Sequence, residues 1–168
     1  MSLELLNTFG TLTTVVIVAT AAVAALVQLR HLRAGNEINA LLTVGNEFQS
    51  QAFRDAMHLA NHRLAPMLEE PLFREYAASV ARNLSPPEVN AEYIEVRRAA
   101  ILIGNMYEEL GVLIKHGTVD REIFLDRYST TVINMWDKLA PFLGFIRAAA
   151  DDSAIFENFE FLAVCSQD

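Results

Sequence analysis

This chain of 168 residues has a single cysteine, and its lack of a second thiol excludes an internal disulfide. Cys165 has no basic neighbour in the sequence, so nothing indicates an activated nucleophile. Glycine-rich phosphate-binding motifs and the nucleophile elbow of hydrolases are also missing. The sequence therefore predicts no catalytic residue, no cofactor and no metal site from any recognisable motif.

Basic charge is scarce as well, with 13 lysines and arginines against 21 acidic residues. Every basic residue lies at or after Arg30, whereas Glu4 is the one acid before it, so the remainder carries a net charge of −7. Nucleic-acid binding needs a basic surface that displaces counterions from phosphates. We therefore expect no nucleic-acid partner, and little attraction to anionic lipid beyond the small basic cluster that starts at Arg30.

The N-terminal stretch from Leu5 to Leu29 contains no charged residue over 25 positions. About 20 apolar residues suffice to cross the hydrocarbon core of a bilayer as a helix. A helix that is apolar on all sides belongs in lipid or in a large core, and this chain is too small for the second. The sequence therefore predicts that residues 5–29 lie in the lipid bilayer. Because Arg30 and Arg33 follow directly, the positive-inside rule places the N-terminus outside and the remainder in the cytoplasm.

Two alternatives compete with the membrane span. Ala22, Val23 and Ala24 resemble the small-residue cleavage site of a secretory signal peptide, but such peptides begin with positive charge and have a shorter apolar run. A buried helix of a soluble protein is the other alternative, and the length of the run argues against it. Gly10 and Thr14 are spaced four apart, as small residues are in membrane helices that pair, so a homo-oligomer is compatible with this segment.

The rest of the chain shows no strand pattern and reads as a series of helices. We predict an all-α fold, in which a single N-terminal transmembrane helix with its basic flank (1–33) precedes a small cytoplasmic helical bundle (34–168). The first soluble helix either continues out of the membrane or restarts near Asn36. The further predicted helices are 51–61, 71–82, 85–115, 120–150 and 154–164.

Prolines and capping residues set the predicted helix boundaries. Ser85, followed by two prolines and Glu88, is typical of a helix start. Asp120 is the predicted N-cap of the next helix. Pro66 is expected to end one helix, and Pro141 to bend or end another, because proline lacks the amide hydrogen and crowds the preceding turn.

Glu108, Glu109 and His116 form the one polar cluster that the sequence offers as a functional site. A di-iron bundle would need Glu-x-x-His units on two helices, and the chain has none. The simpler interpretation is that one of the two glutamates makes an interhelix hydrogen bond or salt bridge. The predicted partners are Arg97, Arg98 and Arg127.

Other chemistry-bearing residues have simpler interpretations. His58 and His62 are four apart on a predicted helix, but the glutamate of the zinc-protease motif is missing and no third ligand is evident. Trp136 and Tyr128 are eight apart on one helical face, which is typical of a hydrophobic core.

Several segments resemble a bacterial family of unknown function, number 4760 among such domains. The resemblance is carried by 105–114 (NMYEELGVLI), Gly117, Asp120, 136–141 (WDKLAP), 156–163 (FENFEFLA) and 51–56 (QAFRDA). It implies a membrane helix followed by a helical domain, and hence the bacterial inner membrane. No activity is known for the family, so the resemblance supports architecture and not mechanism.

Two functions are therefore expected from the sequence. The first is a membrane-anchored interaction or regulatory module that binds an unknown protein partner through a groove between helices. The alternative is an unrecognised enzyme or ligand-binding domain with a site between helices near Glu108, Glu109 and His116.

Overall fold

A computed structural model describes residues 3–167, which are helical apart from short connections and contain no strand. The all-α prediction is confirmed. The elements are α1 (Leu3–Phe48), α2 (Gln51–Leu59), a π-helical turn (Ala60–Leu64), α3 (Ala65–Leu68), α4 (Pro71–Ala81), α5 (Ala91–Lys115), α6 (Arg121–Ala150) and α7 (Glu157–Cys165). The chain divides into two compact units, Met1–Asn39 and Ala40–Asp168, and α1 contributes to both. Helix α1 therefore does not restart near Asn36.

The first unit is an apolar helix whose side chains are exposed. Its segment Asn7–Leu32 is the one part of the described chain that is long and apolar enough to cross a membrane, and none of its most apolar window is buried. The threonine hydroxyls donate to backbone carbonyls one turn earlier, as from Thr14 to Gly10 and from Thr20 to Val16, at 2.8–2.9 Å. Each of these hydroxyls therefore has an acceptor within its own helix.

Helix α5 is the centre of the second unit and packs against α2, α6, α7 and the π-helical turn. Its buried side chains recur at spacings of three and four, so that they line one face of the helix. They are Tyr93, Val96, Ala99, Ala100, Ile103, Tyr107, Leu110 and Ile114. The core therefore lies around α5, and any functional residue on that helix is positioned by this packing.

Most of the predicted helix boundaries agree with the structure. Helix α4 begins at Pro71, and α5 ends at Lys115 shortly before Gly117, whose φ of +66° suits glycine. Asp120 caps α6 by accepting a 2.9 Å hydrogen bond from the amide of Ile123. Helix α7 begins at Glu157, three residues after the predicted start, because the chain from Ser153 to Phe156 forms turns.

The predicted start of α5 at Ser85 is wrong. The helix begins at Ala91, and Asn90 caps it by accepting a 2.9 Å hydrogen bond from the amide of Tyr93. Two consecutive prolines follow Ser85, and a residue that precedes proline is disfavoured in the helical conformation. The segment 84–90 is consequently non-helical, and the later asparagine begins the helix.

Neither Pro66 nor Pro141 ends a helix, which corrects the prediction made for Pro66 and the ending proposed for Pro141. Pro66 lies in the first turn of α3, where an amide hydrogen is not needed, after the π-helical turn has changed the hydrogen-bond register. Pro141 lies inside the 30-residue α6. Burial of Leu139 and Phe142 on either side of it offsets the cost of about 3 kcal/mol for proline in a helix.

Candidate functional site

Glu108 is the cap of another helix. Its carboxylate accepts hydrogen bonds of 2.9 Å from the amides of Asn158 and Phe159, and one of 2.6 Å from the Asn158 side chain. These amides belong to the first turn of α7, whose own N-cap residue, Phe156, supplies no side-chain hydrogen bond. A carboxylate at this position satisfies exposed donors and interacts favourably with the helix dipole. The predicted interhelix hydrogen bond of Glu108 is therefore present, but with backbone amides and not with an arginine.

Two glycines of α5 allow α7 to approach closely on either side of Glu108. A β-carbon on Gly111 would lie 2.1 Å from the carbonyl oxygen of Asn158, and one on Gly104 would lie 2.8 Å from the ring of Phe156. Phe156 itself has a φ of +60°, which is unusual for a bulky residue. The start of α7 therefore packs closely against Gly104, Glu108 and Gly111 of α5.

Arg147, which the sequence analysis did not select, holds the same end of α7 from helix α6. Its Nε donates to the carbonyl of Ile155 at 2.7 Å, and its Nη2 donates to the carbonyl of Phe156 at 3.2 Å. Its Nη1 forms a salt bridge of 2.7 Å with Glu160. The planar guanidinium can reach three acceptors at once. The polar atoms of Glu108 and Arg147 are therefore already used in hydrogen bonds that position α7.

Glu109 has different surroundings from its neighbour Glu108. It lines two adjoining cavities, of about 210 and 330 Å³, between α5 and the end of α1. Thr43, Glu47 and Met106 line both cavities together with Glu109. Glu47 and Glu109 thus place two carboxylates along one surface depression. They are 62 positions apart in the chain, so their proximity could not be predicted from the sequence.

A third cavity continues this depression along α5. It has a volume of about 270 Å³ and shares Ala52 and Leu102 with the cavity of 330 Å³. We call the three adjoining cavities the α5 groove. Four acidic residues and one arginine are among its lining side chains: Glu47, Asp55, Glu95, Glu109 and Arg98.

His116 is the C-cap of α5, and its side chain is exposed. The three residues of the predicted cluster therefore have three environments: Glu108 at the start of α7, Glu109 in the α5 groove, and His116 at the end of α5. Their grouping as one functional site stays a prediction. Glu109 lines two of the cavities described above.

The histidine pair and the cysteine do not add a metal site. His58 and His62 are both exposed, with ring centroids 4.6 Å apart. Within residues 3–167 no group of three or more histidine, cysteine, aspartate or glutamate side chains could hold a metal ion. Cys165 is buried in the bundle.

Trp136 and Tyr128, which were predicted to belong to the core, are half-buried and pack against it. Trp136 packs edge-on against Phe159 of α7, and Tyr128 stacks on Phe48 at a centroid distance of 5.2 Å. Tyr107 is fully buried and stacks on Phe159 at 4.7 Å. Its hydroxyl has no hydrogen-bond partner among the described residues, and burial raises its pKa above the ordinary tyrosine value.

Two further ionisable groups of α5 are perturbed by their surroundings. Tyr93 donates its hydroxyl to Glu70, and this hydrogen bond, together with burial and the nearby carboxylates, raises the pKa of the phenol. Burial lowers the pKa of Arg97, whose Nε is a buried donor. Both groups lie outside the α5 groove, and we assign them to packing between the helices.

The fold and the site define a class: a small all-helical protein with one N-terminal apolar helix and a domain centred on α5. A family model described as Domain of unknown function (DUF4760) matches residues 15–164, and the chain belongs to this family. No curated protein and no solved structure matches the chain. The resemblance stated from the sequence is therefore confirmed.

Proposed function

We propose that this protein is anchored by one helix in the bacterial inner membrane, and that its second unit binds a protein partner in the cytoplasm. The exposed apolar surface of Asn7–Leu32 is the observation that carries the proposal. Exposing apolar surface to water is unfavourable by roughly 25 cal/mol per Å², whereas a lipid environment removes that cost. The residues concerned include Phe9, Leu12, Val15, Val16, Ile17, Val18, Val23 and Leu26.

The extent of the family match supports a retained anchor over a cleaved leader. The match begins at residue 15, inside the apolar stretch, and continues without interruption into the second unit. Helix α1 likewise runs through the boundary between the two units. The proposed orientation, with the N-terminus outside, rests on Arg30 and Arg33, because positive charge is retained on the cytoplasmic side.

The role of the second unit as an interaction module rests on its surface. The α5 groove combines apolar and acidic side chains in one open depression, as surfaces that bind a helix do. The polar cluster around Glu108 is already used to hold α7. The groove is therefore the surface on which we base the proposed binding role.

The anchor is tested by placing charge in the middle of the apolar helix. In the full-length chain, Val18→Arg with Val23→Arg should cost about 6 kcal/mol of insertion free energy, since each arginine costs about 3 kcal/mol near the bilayer centre. The matched control is Val18→Leu with Val23→Leu. After alkaline carbonate extraction of bacterial membranes, the wild type and the leucine variant should remain in the pellet, and the arginine variant should lose most of its membrane fraction.

Two results would overturn the anchor. One is release of the wild-type chain by carbonate, which would show that it is not integral to the membrane. The other is a measured mass of the mature protein that corresponds to a chain starting after residue 24, which would show that the apolar stretch is a cleaved leader.

A small-ligand site between helices is the second candidate, and the two carboxylates shared by two cavities favour it. Native mass spectrometry of the purified full-length chain tests it, with Glu47→Gln and Glu109→Gln together as the variant. A bound mass that is present in the wild type and lost in the variant would support a ligand site. An identical spectrum from both proteins would contradict it.

A further inference from the structure

We propose that the α5 groove is the docking site for a basic amphipathic helix of a partner protein. The inference rests on the proposed function, and it adds the surface that binds and the chemistry of what is bound. Three properties of the groove support it: its length, the apolar side chains inside it and the charge along its edges.

The groove has the length of a helical ligand. Its lining residues on α5 extend from Glu95 to Leu113, which is a distance of about 27 Å at 1.5 Å per residue. The opposite side is formed by the end of α1 and by α2, from Ala40 to Leu59. A partner helix of about 18 residues would fill this length with five turns.

Apolar side chains inside the groove lie where the apolar face of such a helix would pack. Leu102 is 43% exposed and lines two of the three cavities, and Met106 lines two. Leu59 and Leu113 lie at the two ends. Binding energy at interfaces is concentrated in a few central apolar contacts, so Leu102 and Met106 are the expected anchors. A helix with apolar residues at spacings of three and four presents the matching stripe.

The charge of the groove selects a basic partner. Its charged lining residues carry a net charge of −3, with Arg98 as the one cation among them. The whole unit Ala40–Asp168 has 11 basic and 19 acidic residues, a net charge of −8. A second copy of this unit or an anionic lipid surface would be repelled, whereas lysines and arginines beside the apolar stripe would be attracted.

The experiment uses the full-length chain in nanodiscs of phosphatidylcholine, with empty nanodiscs for background. The probe is a synthetic 18-residue helix with leucine at spacings of three and four and lysine elsewhere. A matched peptide carries glutamate in place of lysine. A photoreactive benzoyl-phenylalanine replaces Asn105, an exposed residue that lines the groove beside the anchors, in one protein. In the control protein it replaces Ile123, which is 58% exposed on α6 outside the groove.

We expect the lysine peptide to cross-link from position 105 at least tenfold more than from position 123. The glutamate peptide should not cross-link above background from either position. Introducing Glu47→Lys with Glu109→Lys should raise the peptide concentration needed for half-maximal cross-linking at least tenfold. The matched charge reversal outside the groove, Glu122→Lys with Asp126→Lys, should change this peptide concentration less than twofold.

Three results would overturn the docking site: equal cross-linking from both positions, equal cross-linking of both peptides, or no effect of the reversal in the groove. Emission of Trp136, which is half-buried and packs against Phe159, verifies that each variant is folded before the peptide is added. Carbonate extraction of the same proteins tests the anchor separately. A protein that stays in the membrane without binding the lysine peptide would contradict the docking site and leave the anchor intact.

Discussion

Glu108 lies on α5, the helix at the centre of the second unit, yet its carboxylate is bonded to the backbone of a different helix. The reason lies in the sequence of α7. Its N-cap is Phe156, an apolar side chain that cannot accept a hydrogen bond from the first turn. The unpaired amides of α7 therefore need an acceptor from elsewhere, and Glu108 supplies it from 50 positions earlier.

Replacing Glu108 with alanine should lower the free energy of unfolding of the second unit by about 2–3 kcal/mol. The loss leaves amide donors without their acceptor in a partly buried place. Glu108→Gln should lose less, because one amide oxygen remains as an acceptor. Glu109→Ala, at an exposed neighbouring position, is the control and should change stability by less than about 0.5 kcal/mol. Urea unfolding of the full-length chain in detergent, followed by Trp136 emission, gives all three values, and equal losses in the two alanine variants would contradict the capping role.

Tyr107 gives a prediction of the opposite sign. Its hydroxyl is buried without a partner in the described residues, so Tyr107→Phe should leave stability unchanged or raise it by about 1 kcal/mol. The pKa of this hydroxyl is raised by burial, so the unfolded chain loses the proton at lower pH than the folded chain does. Stability of the wild type should therefore fall as the pH rises above about 10, with this residue contributing about 1.4 kcal/mol per pH unit.

Comparison of wild type and Tyr107→Phe between pH 9 and 11 isolates that contribution. Other tyrosines and the lysines titrate in both proteins, so their effect cancels in the difference. The advantage of the phenylalanine variant should be small at pH 9 and should grow with pH. A difference that stays constant over this range would show that the Tyr107 hydroxyl ionises equally well in the folded chain.

Helices and their ends could be predicted from the sequence where local signals decided them. Asp120 and Pro71 act within their own turns, and the structure has helix starts at both places. The start at Ser85 was wrong because the two prolines after it disfavour helical geometry before each ring. Of the two outcomes predicted for Pro141, bending or ending the helix, the ending did not occur, and α6 continues past it between the buried Leu139 and Phe142.

The candidate site was harder to predict because its neighbours are distant in the chain. Glu109 was selected as a polar residue on an apolar helix, but Glu47, which shares its cavities, lies on α1. Arg147 was not among the residues selected from the sequence, because its bonds are to the carbonyls of Ile155 and Phe156, which precede another helix. No pattern in a single sequence identifies a glutamate on one helix that caps a different helix.

Packing of α7 on α5 depends on the glycine at position 111. Gly111→Ala would place a β-carbon 2.1 Å from a backbone oxygen of α7, so the two helices must separate. We expect a loss of about 3 kcal/mol or more, at the upper end for overpacked cores. Gly144→Ala is the matched control on α6, because open space surrounds its β-carbon; it should stabilise the chain by about 0.5–1 kcal/mol through helix propensity. Trp136 emission during urea unfolding measures both, and equal effects would contradict the close approach of α5 and α7.

Over the whole molecule, charge is distributed along the chain in two parts. No charged residue occurs between Leu5 and Leu29, and the unit from Ala40 onward is acidic. The negative charge of the second unit has little influence on membrane orientation, because the positive-inside rule depends on lysine and arginine near the span and acidic residues contribute little. The proposed orientation therefore rests on Arg30 and Arg33 alone among the residues that flank the apolar stretch.

Moving positive charge from one flank to the other should invert the protein in the membrane. Fusions after Asp168 report the side: green fluorescent protein fluoresces in the cytoplasm, and alkaline phosphatase is active outside it. The wild type should give fluorescence without phosphatase activity. Arg30→Ser and Arg33→Ser combined with Ser2→Lys and Glu4→Lys should reverse both signals, because the charge difference across the span changes sign. Arg30→Lys with Arg33→Lys keeps the charge and should keep the wild-type pattern, whereas an active phosphatase on the wild-type chain would show that its second unit lies outside.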